Sequence, residues 1–184
     1  MNFIPQVPAV LVTAQILSIL GMLFNCLSYQ GKSKRALILM QFFGTTLFTV
    51  HFFMLGAALG FLMNLIGAIR GLTFSLWNPG KTGNRIRIAV FLCLILAMYP
   101  LAFTVLGVEP TAKNLILEVL PIIAVVITTV SYGCTSAGTV RKLALFSAPF
   151  WLVYNICNLS AGGILCEIFV ICSALIGIFR YDRK

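Results

Sequence analysis

Seven stretches of the chain are apolar and long enough to cross a bilayer. They run over residues 7–29, 37–56, 57–77, 88–106, 114–132, 143–158 and 160–180. A crossing needs ~20 residues, and ~17 suffices for a short helix. Segments two and three almost touch at residues 56–60, and segments six and seven at 158–163. Each combined run, roughly forty residues, is too long for one crossing. Small and turn-forming residues such as Gly56, Gly60, Asn158 and Gly163 mark the bend between them.

Charge tests the count. The gap after segment one holds Lys32, Lys34 and Arg35, the gap after segment three Lys81, Arg85 and Arg87, and the gap after segment five Arg141 and Lys142. The tail adds Arg180, Arg183 and Lys184, while the opposite side, made of the N-terminus and the even-numbered gaps, has only Lys113. This asymmetry alternates correctly only with an odd number of crossings. Cytoplasmic loops collect Lys and Arg, so the reading is seven transmembrane helices with the N-terminus outside and the C-terminus in the cytoplasm.

Composition agrees. Hydrophobic residues make up 60% of the chain and charged ones 9%, where a soluble domain carries about 25% charged residues. Lipid is therefore the expected partner. The net charge of +9 does not indicate nucleic acid, because the cations sit between apolar runs rather than along one basic face. Six cysteines form no CxxC pair and read as small buried hydrophobes. The first ten residues lack the basic stretch of a secretory signal, so the first apolar segment is expected to be retained as a helix.

A weak internal repeat runs through the chain. A shift of 103 residues lays Ser28-Tyr29 on Ser131-Tyr132, Ser33 on Ser136, Gly60 on Gly163, Gln15 on Glu118, His51 on Tyr154 and Asn64 on Glu167. Segments one, two, three, five, six and seven each carry at least one Asn, Gln, His, Arg or Glu, and segment four carries none. The expected architecture is all-α: two parallel three-helix bundles joined by a linker helix, 3+1+3. Residues 1–80 would form the first bundle, 81–110 the linker helix with its flanking loops, and 111–184 the second bundle with a short basic tail.

Polar side chains are costly in hydrocarbon and are kept where they face a cavity or another helix. Glu118 and Glu167 lie ~6–10 Å below the outer surface by helical rise. Gln15, His51, Asn64, Tyr154 and Asn155 fall in the same outer layer, as a solute pocket between two bundles requires. Each also has a plainer reading. Glu118 suits a first-turn carboxylate stabilised by the helix dipole, and Asn64 and Asn155 suit hydrogen bonds between helices. His51 has no second ligand at metal spacing, so no metal site is expected. Arg70 reads as snorkelling to the cytoplasmic interface near Trp77, with Asn25 and Gln41 structural on the same side. Pro121 and Pro149, inside segments five and six, are candidate hinges or static kinks.

The run Trp151-x3-Asn155-x4-Ser160-x-Gly162-Gly163-x3-Glu167 resembles the YgjV-type bacterial inner-membrane proteins. So do His51-Phe52-Phe53-x-Leu55-Gly56 with Ala68-Ile69-Arg70, and Glu118-x-Leu120-Pro121-Ile122. The chain departs from that family at Gly67, where Asn is expected. The resemblance implies an inner-membrane location. In architecture the chain is distantly similar to SWEET sugar facilitators and PnuC vitamin transporters, which bind solute between two three-helix bundles. Their paired Asn would correspond to Asn64 and Glu167, and Ser18 and Thr46 stand at two of the sugar carriers' hinge prolines.

The functional expectation is a transporter of a small polar solute. Glu167 and Glu118 would contact a cationic or hydroxylated solute or take up a proton. Asn64, Asn155 and Gln15 would supply hydrogen bonds, and Trp151, Tyr154 and His51 a stacking wall. The alternative is a non-transporting assembly or regulatory protein whose polar layer is satisfied internally. With no HExxH, GxSxG, Walker or Rossmann pattern in the sequence, neither an enzyme nor a cofactor is expected.

Overall fold

The computed structural model describes residues 7–182 and is all-helical. The helices are α1 (Pro8–Ser28), α2 (Lys34–Leu55), α3 (Ala58–Leu76), α4 (Gly80–Thr104), α5 (Ala112–Leu117), α6 (Val119–Gly133), α7 (Ala137–Cys157) and α8 (Ala161–Tyr181). The short α5 and α6 follow each other as one broken helix, giving seven helical passes. Six of these, α5 and α6 counted as one, are long and apolar enough to cross a membrane. The exception is α7, which carries Arg141, Lys142, Ser147, Tyr154 and Asn155.

The break in the fifth pass has a local cause. Pro121 cannot donate to the carbonyl of Leu117, and its ring crowds that oxygen. The first piece accordingly ends at Leu117, Glu118 forms the joint, and the second begins at Val119. Pro149 in α7 and Pro100 in α4 interrupt neither helix.

Several helices start earlier than the apolar pattern suggests. The fourth begins at Gly80 and takes in Lys81, Arg85 and Arg87; α7 begins at Ala137 and takes in Arg141 and Lys142. Lys34 and Arg35 form the first turn of α2, capped by Ser33, whose hydroxyl accepts from Ala36 N. These cations belong to helix ends rather than loops. They gather at one end of the bundle, called here the basic end. Arg183 and Lys184 of the tail, and residues 1–6, lie outside the described residues.

Packing closes a ring. In order around it, α1 meets α2, α2 meets α3, α3 meets α6, α6 meets α7, α7 meets α8, and α8 returns to α1. The linker α4 lies against α3 and α6, and α2 touches α7 across the middle. Large apolar side chains such as Ile16, Leu23, Leu96, Phe146 and Ile176 point outward. An outer surface this apolar suits lipid, not water.

The turn between α2 and α3 and the turn between α7 and α8 are built alike. Gly56 has φ 70° and Leu159 φ 52°, so both adopt the left-handed conformation that reverses the chain. Gly56 N donates to Phe53 O and Ala57 N to Phe52 O; Leu159 N donates to Ile156 O and Ser160 N to Asn155 O. A side chain at Leu159 bears strain that Gly56 avoids.

Candidate functional site

A cavity of about 100 Å³ lies inside the ring, with walls from α1, α2, α3, α6, α7 and α8. That is room for a few waters, or for one small solute. Four of the sequence candidates line it: Asn64 on α3, Trp151 and Asn155 on α7, and Glu167 on α8. Asn64 Nδ2 donates to Gly60 O at 2.8 Å, which orients its side-chain oxygen as a free acceptor. Asn155 is buried, and its Oδ1 has no hydrogen-bond partner. Glu167 is half-buried, and no described residue donates a hydrogen bond to its carboxyl.

Four other candidates lie elsewhere, outside the cavity wall. His51 is fully buried and pins three helices. Its Nδ1 lies 2.8 Å from Ala14 O of α1, and a carbonyl can only accept, so Nδ1 carries the proton. Nε2 then accepts from Ser160 Oγ at 2.8 Å, while Ser160 Oγ accepts from Gly163 N. Both nitrogens of the imidazole are used in joining α1, α2 and the start of α8, and the ring packs behind the cavity-lining Phe52. Tyr154 is likewise fully buried, its hydroxyl accepting from Gly60 N at 2.9 Å. Gln15 sits between α1 and α8, its Oε1 accepting from Gly162 N at 3.4 Å. Glu118 occupies the joint of the broken helix beside the Tyr154 hydroxyl, with Oε2 buried and unpartnered. It contacts Tyr154, not the cavity.

The larger correction concerns the side chains assigned above to the interface. Arg70 is 5% exposed and does not reach a membrane surface. Its Nη1 donates to Val125 O at 2.8 Å and to Thr129 Oγ1 at 2.5 Å, both on α6, and its guanidinium lies 4.6 Å from the Tyr132 ring centroid. Tyr132 in turn donates to Gln41 Oε1. Arg70, Gln41, Tyr132, Asn25 and Thr128 all line the same cavity as Glu167. The available signal was the position of Arg70, six residues before the end of α3, where an intramembrane cation points to function by default.

The cavity is thus polar at two levels. Toward the basic end stand Arg70, Gln41 and Tyr132; toward the opposite end stand Asn64, Asn155 and Glu167, with Phe48, Phe52 and Trp151 between helices α2 and α7 as an aromatic side. Phe52 stacks on Trp151 at 6.2 Å between centroids. No group of three or more His, Cys, Asp or Glu suited to a metal occurs among the described residues.

All-helical structure over the described residues, six helices long and apolar enough to cross a membrane, and an outward apolar surface define a membrane protein. Its sequence matches the Imp-YgjV family model, a family of bacterial inner membrane proteins, over residues 12–184. The chain belongs to that family, and the inner membrane is its location. No curated protein and no solved structure matches it.

Proposed function

We propose that this protein is a small-solute transporter working by alternating access, with the cavity between two three-helix units as its binding site. In this reading α7 is a seventh span, the basic end faces the cytoplasm and the N-terminus faces outward. The units are α1–α3 and α5–α8, parallel repeats joined by α4.

Support for the repeat comes from hydrogen bonds that recur under the 103-residue shift. Phe61 N to Ala57 O corresponds to Ile164 N to Ser160 O, and Gly31 N to Ser28 O corresponds to Cys134 N to Ser131 O. The Ser33 cap matches the Ser136 cap. Even the contact from Arg70 to Thr129 has its counterpart in Ser173 Oγ donating to Cys26 O. The ring contacts obey the same exchange: α1 against α8 corresponds to α6 against α3, and α2 meets α7 on the axis between the units.

The single observation that carries a transport reading is the cavity itself, walled by both units and lined by polar side chains whose hydrogen-bonding capacity is unfilled. A protein that merely packs against partners has no use for an unpartnered Asn155 Oδ1 deep in its core, which is costly unless something else bonds to it. The test is a thermal-shift screen of detergent-purified protein against small polar metabolites, beside Glu167→Gln. A compound that stabilises the wild type and not the variant is the expected result. Two well-folded proteins that no compound stabilises would support the assembly or regulatory reading instead.

A further inference from the structure

Resting on that reading, we infer that the solute is a small zwitterion, an aminocarboxylate whose carboxylate meets Arg70 and whose ammonium meets Glu167 and Asn64.

The two levels of the cavity have opposite hydrogen-bonding character. At the Arg70 level the wall offers donors. Nη1 is committed to Val125 O and Thr129 Oγ1, which holds the guanidinium in place, Nε is buried away from the cavity, and Nη2 lies beside the cavity-lining Gly67. A fixed guanidinium with unused N–H groups is suited to a carboxylate. At the Glu167 level the wall offers acceptors. The Asn64 amide has committed its Nδ2 to Gly60 O and keeps its oxygen, and the Glu167 carboxyl accepts nothing from the described residues, while the unpartnered Asn155 Oδ1 is buried against Gly163. Acceptors without protein donors suit an ammonium group, which has three donors and no acceptor.

Arg70 and Glu167 do not satisfy each other. Among the described residues the ion pair present joins Arg141 to Asp182. On α3, the Arg70 backbone lies six residues beyond Asn64, its guanidinium reaches back to Gly67, and Glu167 stands as far into α8 as Asn64 into α3. A simple cation would leave Arg70 facing it, a simple anion would face Glu167, and a neutral polyol would leave both charges unpaired. A zwitterion complements both. The cavity volume of about 100 Å³ restricts it to a small one, and the Phe48, Phe52 and Trp151 side accepts a short apolar substituent.

The test uses wild-type protein in detergent and varies the ligand, so that no altered fold confuses the result. Binding of glycine, L-alanine and 4-aminobutyrate is measured by calorimetry beside L-alanine methyl ester, N-acetyl-L-alanine and xylitol. The expected result is that at least one zwitterion binds, and that blocking either charge weakens binding at least ~10-fold. Glu167→Gln should weaken the same ligand comparably while melting like the wild type in its absence. Ester or acetyl forms that bind as well as the parent would overturn the inference. Xylitol binding without zwitterion binding would overturn it too, but would leave the solute cavity standing. Tight zwitterion binding with no uptake into proteoliposomes would keep the ligand class and refute transport. No binding by any compound refutes both.

Discussion

Gly162 leaves no room for a methyl group: a Cβ there would lie 1.8 Å from Ser18 Oγ and 3.0 Å from the Ser18 backbone carbon. Ser18 is itself fully buried, its hydroxyl donating to Gln15 O at 2.7 Å, so it cannot move aside cheaply. Gly162→Ala should therefore cost about 1–3 kcal/mol, the usual penalty of overpacking. Unchanged melting of the variant in detergent would contradict close approach of α1 and α8. Arg141 does comparable work at the basic end. Its Nε donates to Tyr29 O, its Nη2 to Gly31 O and its Nη1 to both carboxylate oxygens of Asp182. One buried guanidinium thus ties α7 to the first interhelical loop and to the end of α8. Arg141→Met leaves these acceptors without a donor, and a loss of about 2–4 kcal/mol is expected from the same melting measurement.

Among the elements, the broken fifth pass has the clearest sequence cause. Pro121→Ala restores both a donor and space opposite Leu117 O, so the break should heal into a continuous helix. Slower amide exchange across residues 117–122 is the expected outcome; exchange as fast as in the wild type would place the cause elsewhere. The tight bends at residues 56–60 and 158–163 and the limits of α1, α3 and α8 were legible because apolar runs and turn residues coincide with them. The starts of α4 and α7 were not. Lys81, Arg85, Arg87, Arg141 and Lys142 look like loop residues in a hydropathy pattern, yet helical backbone continues through them, and Arg87 and Arg141 find partners at the bundle end. Arg87, for instance, donates to Thr73 O, to Trp77 O and to Asn84 Oδ1, with its guanidinium over the Phe74 ring. At the site, depth along each helix was readable but direction around it was not. His51 and Tyr154 share a layer with Asn64 and Asn155, and only packing decides that the first two face neighbouring helices while the second two face the cavity. Arg70 was misread for the converse reason: a long side chain can reach either a surface or a partner, and spacing does not choose between them.

At the scale of the molecule, the proposed pair of three-helix units would account for a cavity that carries Arg70, Asn64, Asn155 and Glu167 on its wall. A bundle that only supports partners gains by filling such a space with apolar side chains; a carrier must keep it hydrated and accessible in turn from each side. Cysteine accessibility measures this directly. Thr128 lines the cavity on α6, and nearby Val130 is exposed on the outer surface, so the two positions separate cavity from lipid. In a chain whose native cysteines are replaced, Thr128→Cys and Val130→Cys would be exposed to a small hydrophilic methanethiosulfonate from outside in intact cells and from inside in inverted vesicles. Alternating access predicts that Thr128→Cys reacts from both sides and Val130→Cys from neither. Absence of reaction at Thr128→Cys from either side, in a protein that is folded and inserted, would contradict a solute pathway between the two units, and reaction from one side alone would reduce it to a closed-ended vestibule.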